Sequence, residues 1–391
     1  MKSRIGIVGG GQLGRMMAFD AKKLGFTVSI IDPTPNSPAG QVVDKQIVAP
    51  YNDEKAIREL AKNSDFLTFE IELANAHVLD DLTNKGLEIH PSAKTLSIIK
   101  DKLEQKKFLR KAGLPVADFA PVISSDNEIS RNDSIKQEIE TLAKKFGYPL
   151  LLKARFDAYD GRGNALIKNK NQIDKALEKL RGRKLYVEKF VPFVKELAIM
   201  VARSTKEAIA TYPVVETIHK NNICHLILAP ASVDETIRKK AKMLAINVMK
   251  NLKGAGVFGI EMFLTHSSNS GQAKLFINEI APRVHNSGHY TIEACVTSQF
   301  EQHIRAVTGQ PLGATDMIVP ASVMINILGE RNAQAEVTGL DKALKIPNVF
   351  IHIYGKMETK LERKMGHITV IGKTLAECLK KAKQARKAIV I

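Results

Sequence analysis

Glu261 and the pair Asn278-Glu279 stand in two otherwise apolar stretches, FGIEMFL and LFINEIA, joined through the polar segment THSSNSGQA. Two apolar runs around a short turn rich in Ser and Gly predict an antiparallel hairpin, 256–264 with 274–281. A loop centred near residue 269 then sets Glu261 opposite positions 277–279. Carboxylates forced onto adjacent strands repel unless a cation lies between them. Two carboxylates and an amide oxygen make a hard-oxygen set suited to Mg²⁺ bridging nucleotide phosphates. Solvent-facing glutamates are the alternative, and the apolar flanks on both strands oppose it.

Two lysines could meet the same anion. Lys153 ends the run Pro149-Leu150-Leu151-Leu152, where a buried ammonium needs an anionic partner. Lys102 lies in a Lys-rich segment and by itself reads as a surface lysine. After Lys153 comes Asp157-Ala158-Tyr159-Asp160-Gly161-Arg162-Gly163-Asn164, whose glycines and arginine suit a flap closing over phosphate groups. Directly after the second acidic strand comes Arg283-Val284-His285-Asn286-Ser287-Gly288-His289. An Arg and a His donor there can orient a small planar anion and stabilise developing charge. Tyr354-Gly355-Lys356 with Arg363-Lys364-Met365-Gly366-His367 forms a basic cluster, open equally to a solvated face and a phosphate pocket.

At the N-terminus, Gly9-Gly10-Gly11-Gln12-Leu13-Gly14 fits G-x-G-x-x-G between a strand and a helix, with Asp32 ending the next strand. Glycines let backbone N–H groups and a helix N-terminus approach an anion, the arrangement of dinucleotide sites. Three readings stay open on these residues: an NAD(P) or FAD oxidoreductase, another phosphate ligand such as a phosphoribosyl group, and a tight structural turn. The hairpin carboxylates weigh against the first, since hydride transfer has no use for them.

The elements that must hold these groups begin with a strand at 4–9, a helix stopped by Gly25 and a strand at 26–32. A helix near 53–63, a strand at 65–70 and a helix near 74–85 continue the rhythm. This βαβαβα order predicts a parallel sheet with helices on both faces, closed by one long helix over 92–113. Apolar strands follow at 148–154, 184–191 and 195–203, with a surface loop at 124–135 and a Lys-rich terminal helix at 374–388. The expected divisions are 1–112, 113–310 with a lid at about 114–192, and 311–391.

The chain has 391 residues, 44% hydrophobic and 25% charged, which excludes disorder, collagen and coiled coil. Lys and Arg number 58 against 41 acidic residues, a net charge of +17 that favours anionic partners. Residues 341–391 carry 12 basic side chains against 4 acidic ones, yet offer only Phe350 and Tyr354 for base stacking, so nucleic-acid binding is not expected. No apolar run reaches the roughly 18–20 residues of a membrane span. Cys224, Cys295 and Cys378 are odd in number and far apart, which argues against a disulfide frame or zinc site and fits a reducing cytoplasm.

The strings GGGQLGRM, TFEIE, YDGRG, EKFVPFVKELAIMVARS, PVVETIHKN, NEIAPRVHNSGHYTIEACVTSQFEQH and YGK…RKMGHI resemble, nearly end to end, the N5-carboxyaminoimidazole ribonucleotide synthetase family of ATP-grasp ligases. The resemblance implies an α/β and α+β chain: an ATP-grasp fold between an N-terminal Rossmann-like, doubly wound parallel-sheet (pre-ATP-grasp) domain and a small C-terminal domain. It implies ATP-dependent carboxylation of 5-aminoimidazole ribonucleotide by bicarbonate, through carboxyphosphate, in purine biosynthesis. It further implies Mg²⁺ (with Mn²⁺ as a substitute), a cytoplasmic homodimer, and neither nucleic-acid nor membrane partners. By motif, Lys102 and Lys153 would hold ATP phosphates under a flap of Tyr159, Asp160, Gly161, Arg162, Gly163 and Asn164. Glu188, Lys189, Phe190 and Val191 would meet the adenine edge, Glu196 the ribose, and His219 another part of the nucleotide. Glu261 and Glu279, with Asn278, would ligate the metal. Arg283, His285 and Asn286 would handle bicarbonate and substrate, with His285 transferring a proton near pH 7. Lys356, Arg363 and Lys364 would hold the substrate phosphate, with Gln12 and Asp160 beside the aminoimidazole. The sequence departs from the family's usual residues at Leu73, Ala158, Asn164, Thr217 and Val284. Rival readings are a formate-dependent glycinamide ribonucleotide transformylase, an NAD(P)-binding oxidoreductase and a non-catalytic ATP-binding regulator.

Overall fold

The computed structural model describes residues 3–122, 131–157, 163–266 and 273–391. Arg4–Val8 lies between Thr27–Asp32 and Phe66–Phe69 in a five-stranded parallel sheet completed by Lys45–Val48 and Glu88–Ile89. Its strands are apolar on both faces because both are covered. The helix Gln12–Lys23 packs Leu13, Met16 and Met17 with Ile5, Ile7, Val28 and Ile30. Helices Glu54–Lys62 and Ala76–Asn84 bring Ile57, Leu60, Val78 and Leu79 to Val8, Ile31, Leu67 and Phe69. This is the doubly wound layer expected.

The second sheet has nine strands paired antiparallel. Their order is Leu275–Ala281, Gly256–Thr265, Phe193–Arg203, Val215–Lys220, Ile223–Ala229, Ala321–Leu328, Lys364–Gly372 and Val349–Ile353, with Ile209–Thr211 beside Phe193–Arg203. It runs without interruption across residue 310, so the third segment extends the same layer. Side-chain alternation splits the faces. Leu197, Ile199, Val201, Ile260 and Met262 pack under Ile237, Ala241, Ala245 and Val248 of the helix Glu235–Leu252, leaving Glu196, Ala198 and Glu261 on the opposite face. His303 joins the two sheets: its Nδ1 accepts from the Val257 N–H (3.0 Å), which leaves Nε2–H to donate to Thr68 Oγ1 (2.7 Å).

The strands Phe119–Pro121, Leu185–Lys189, Leu150–Ala154 and Asn164–Ile167 form a third, four-stranded antiparallel sheet. Helices Arg131–Phe146 and Ile173–Lys179 cover one of its faces through Ile139, Leu150, Leu152, Ile173 and Val187. Part of the loop expected at 124–135 is therefore helix, from Arg131 onward; residues 124–130 lie outside the described residues.

Residues 92–113 form two helices, not one. Ala93–Lys100 and Lys102–Lys111 meet at Asp101, which is extended (φ −93°, ψ 107°) and caps the second helix by accepting from the N–H groups of Leu103 (3.0 Å) and Glu104 (3.4 Å). Arg155 clamps the same carboxylate, and its carbonyl accepts from the Lys102 N–H (2.8 Å). The apolar periodicity runs through Asp101; the tertiary partner breaks the helix there.

Candidate active site

The hairpin register pairs Glu261 with Glu279, and Met262 with Ile277. Asn278 is the extra residue of a bulge, and such a bulge re-aims the side chains beside it. Asn278 and Glu279 are consequently both half-buried on one open face instead of alternating across the strand. Burial, and then the facing Glu279, raise the Glu261 carboxyl to about 7. Such a pair fits a divalent cation. Among the described residues no three His, Cys, Asp or Glu side chains converge in metal-binding geometry.

Lys102, His219 and His285 ring this pair, with Glu196 beside His219. Lys102 donates to Glu279. His219 Nδ1 lies 3.2 Å from Glu196 Oε2, and although burial works against its charge, Glu196 holds the His219 pKa above the ordinary value. His285 Nε2 lies 3.7 Å from Glu261 Oε1. Its Nδ1 accepts from the Ser287 N–H (3.4 Å) beside Ser287 Oγ (2.9 Å), so Nε2 carries the proton. Gly259 lets this ring close on the sheet: a Cβ there would meet His285 Cβ at 2.7 Å.

Lys153 sits in the four-stranded sheet opposite Tyr186, with its Nζ 3.3 Å from Glu188 Oε1. Burial opposes its charge, but Glu188 more than compensates and holds the Lys153 pKa above the lysine range. Arg283 Nε donates to Glu72 Oε1 (3.0 Å), and Lys356 Nζ donates to the Lys364 carbonyl (2.7 Å). Burial depresses His285 and His289, with Arg283 adding to the first and His352 to the second; the Lys364 charge also acts on both, which brings the late basic cluster beside them.

The glycine turn is filled by the protein itself. Glu70 accepts from the N–H of Gly11 (2.6 Å) and of Gly14, at the helix N-terminus where a pyrophosphate would sit. Asp32 accepts from the Gly10 N–H (2.9 Å) and the Tyr51 hydroxyl (3.1 Å). Gly9 has φ +113° and a Cβ there would collide with Glu70, so glycine is required for packing as well as conformation. The dinucleotide reading of this turn is therefore not realised.

The sequence matches three family models in succession: the ribonucleotide synthetase preATP-grasp domain over 1–100, the ATP-grasp domain over 107–300, and the phosphoribosylaminoimidazole carboxylase C-terminal domain over 322–381. It is 45% identical over 381 residues to a phosphoribosylaminoimidazole carboxylase of Ogataea methanolica, covering 96% of this chain and 67% of that one. The chain spans 64–67% of the length of the fungal carboxylases it matches. The crystal structure of an N5-carboxyaminoimidazole ribonucleotide synthetase from Thermotoga maritima superposes with a TM-score of 0.86 at 45% identity, covering 100% of this chain and 99% of that one. The chain belongs to the N5-carboxyaminoimidazole ribonucleotide synthetase family. A further member, from Aspergillus clavatus and solved with ADP and 5-aminoimidazole ribonucleotide, has a TM-score of 0.87 at 36% identity and covers 99% and 98%. Members of this synthetase family are ATP-grasp ligases, and ATP use comes with the fold.

Against the residues expected for a synthetase, the geometry gathers Lys102, Glu196, His219, Glu261, Asn278, Glu279, Arg283 and His285 on one open face and its rim. Tyr159, Asp160, Gly161 and Arg162 lie outside the described residues; Gly163 and Asn164 are the first after them, with the Gly163 carbonyl bonded to the Ala154 N–H (2.8 Å). Gln12 opens the first helix beside the Glu70-filled turn. Lys189 is exposed with its N–H on the Asp118 carbonyl (2.8 Å), Phe190 is half-buried, and Val191 is buried. Arg363 donates to the Glu358 carbonyl (2.7 Å).

The Glu188 side chain, 1% exposed, points to Lys106 and Lys153. Two expectations need correction. Asn286 exchanges both amide hydrogen bonds with buried Asn326 (3.1 and 2.7 Å), which engages the group expected to touch substrate. His285 does not titrate near 7: burial, then Arg283 and Lys364, push it well below the usual histidine value, so it is a neutral N–H donor. Missed altogether were Glu72, Glu70 and Lys106. Lys106 carried a signal, three residues from both Leu103 and Leu109 on the buried stripe of its helix.

Proposed function

We propose that this chain carboxylates 5-aminoimidazole ribonucleotide with bicarbonate and ATP, giving N5-carboxyaminoimidazole ribonucleotide, ADP and phosphate. The observation that carries the reading is the in-register Glu261–Glu279 pair, joined by Asn278 at the bulge and flanked by Lys102 and by the sheet that carries Lys153. Lys102 would exchange Glu279 for the ATP phosphates, and Lys153 would lean on them from the four-stranded sheet. Glu196 is set for the ribose hydroxyls, with His219 holding its carboxylate. Glu261 and Glu279, with Asn278, would hold Mg²⁺, or Mn²⁺ in its place, which would supply neutralisation of phosphate charge.

Bicarbonate is a poor electrophile because its carbon belongs to a resonance-stabilised anion. Arg283, fixed by Glu72, would align a bicarbonate oxygen for in-line attack on the γ-phosphorus; the P–O bond to ADP breaks and carboxyphosphate forms. The substrate amine then attacks the carboxyl carbon, the C–O bond to phosphate breaks, and the amine's proton passes to the departing phosphate. His285, neutral with Nε2–H outward, would stabilise the developing oxyanion and not act as an acid. The flap from Tyr159 to Asn164 would keep water from the mixed anhydride. Lys356, Arg363 and Lys364 would hold the ribonucleotide phosphate, with Gln12 and Asp160 near its ring.

The family resemblance supports a cytoplasmic homodimer. Among the described residues no helix is long and apolar enough to cross a membrane. The deciding experiment is phosphate release from ATP with bicarbonate or formate, each with its cognate amine. Release that requires bicarbonate and 5-aminoimidazole ribonucleotide is expected; equal release with formate and glycinamide ribonucleotide would overturn the reading.

A further inference from the structure

Lys106 is 2% exposed in the helix Lys102–Lys111, in a protein whose lysines are otherwise mostly at the surface. Its Nζ lies 2.8 Å from Glu188 Oε2 and donates to the Ile277 carbonyl (3.3 Å), next to Asn278 and Glu279. The other oxygen of Glu188 faces Lys153 Nζ at 3.3 Å. One ammonium thus touches both the sheet that carries Lys153 and the edge strand that carries Glu279. The neighbouring Gln105 does related work, its amide accepting from the Ile280 N–H (3.0 Å) and donating to the Ile280 carbonyl (3.1 Å) along that edge. An unpaired edge strand needs such partners.

A carboxylate buried between two ammonium groups divides its attraction between them. With Lys106 on Oε2, Glu188 steadies Lys153 through one oxygen and leaves the remaining Nζ donors for phosphate. Without Lys106, both oxygens of a buried carboxylate would compete for Lys153 alone, and the phosphate would lose.

We propose that Lys106 is a positioning residue: by occupying Glu188 and the Ile277 carbonyl, it sets Lys153 at the height above Glu279 that a nucleotide triphosphate needs. The proposal rests on the reading above that Lys153 meets ATP phosphates.

Calorimetric titration of the full-length protein with Mg·ATP, and separately with 5-aminoimidazole ribonucleotide, tests it. Lys106→Met should weaken ATP at least tenfold while the ribonucleotide Kd stays within twofold. Lys106→Met combined with Glu188→Gln should bind ATP more tightly than Lys106→Met alone, because the competing carboxylate is gone; a purely structural role would make the double variant worse. If Lys106→Met does not fold, Glu188→Gln is compared with the double variant, and the added substitution should cost less than twofold; a further fivefold loss overturns the proposal. ATP binding by Lys106→Met equal to wild type overturns the positioning role alone. Wild-type protein that binds no ATP overturns the ligase reading and this proposal with it.

Discussion

Arg283 and Glu72 meet at 3.0 Å across 211 positions of sequence, joining the loop after the acidic hairpin to the turn that follows the strand Phe66–Phe69. Both are about three-quarters buried, so the contact fixes the guanidinium more firmly than a surface pair would. Glu72→Ala should leave Arg283 present but loose. The KM for bicarbonate is expected to rise about tenfold, as for a lost charged hydrogen bond of about 1.4 kcal/mol, while the KM for ATP stays within twofold. Steady-state titration of each substrate checks this, and an unchanged bicarbonate KM would remove Glu72 from the account.

Glu279→Gln keeps the shape of the hairpin and removes half of the acidic pair. Phosphoryl transfer should fall by about 10³-fold, the size expected when several kcal/mol of charge stabilisation are lost. Far-UV circular dichroism should not change. Retained phosphate release would refute the metal assignment.

Glu261, raised to about 7 by burial and by Glu279, gives a pH signature of its own. Its folded pKa exceeds its unfolded one, so between the two the native state binds the extra proton, and stability falls as pH rises through 7. Without added Mg²⁺, Glu261→Gln should therefore gain stability over wild type at pH 8, by no more than ~3 kcal/mol, and gain little at pH 5. Parallel chemical denaturation at both values, read as a difference between the proteins, tests the sign.

Buried His303 has the opposite sign. Burial, with a small contribution from His90, lowers it to about 3, so the unfolded chain takes a proton that the native state refuses between about 6.5 and 3. Wild type should lose about 1.4 kcal/mol per pH unit at this site as pH falls below 6.5. His303→Gln, though less stable at pH 7, should show a shallower decline; denaturation curves at pH 7, 6 and 5 measure the slopes.

Asp101→Ala removes a helix cap and a partner of Arg155 together. A loss of ~1–2 kcal/mol is expected from the cap alone. Asp101→Asn, which can still cap, should lose less than the alanine variant; thermal melts decide whether the cap or the Arg155 clamp matters more.

The sequence by itself determined what depends on near neighbours. The strand–turn–helix start, the apolar runs of the parallel sheet and the acidic hairpin all follow from periodicity and turn residues within short windows. The facing of Glu261 and Glu279 was legible to within a residue, because a tight hairpin leaves little freedom of register. Which of 277–279 would face Glu261 was decided by the Asn278 bulge, and the break at Asp101 by Arg155. The glycine turn carried a dinucleotide pattern, yet Glu70, fifty-six positions beyond Gly14, fills it. Lys106 and Asn286 show the same limit from opposite sides. A lysine among lysines proved buried against Glu188, and an amide in a polar motif proved to be paired with Asn326. Burial and charge pairing act through space with no regard to separation along the chain, so only the folded arrangement could assign them.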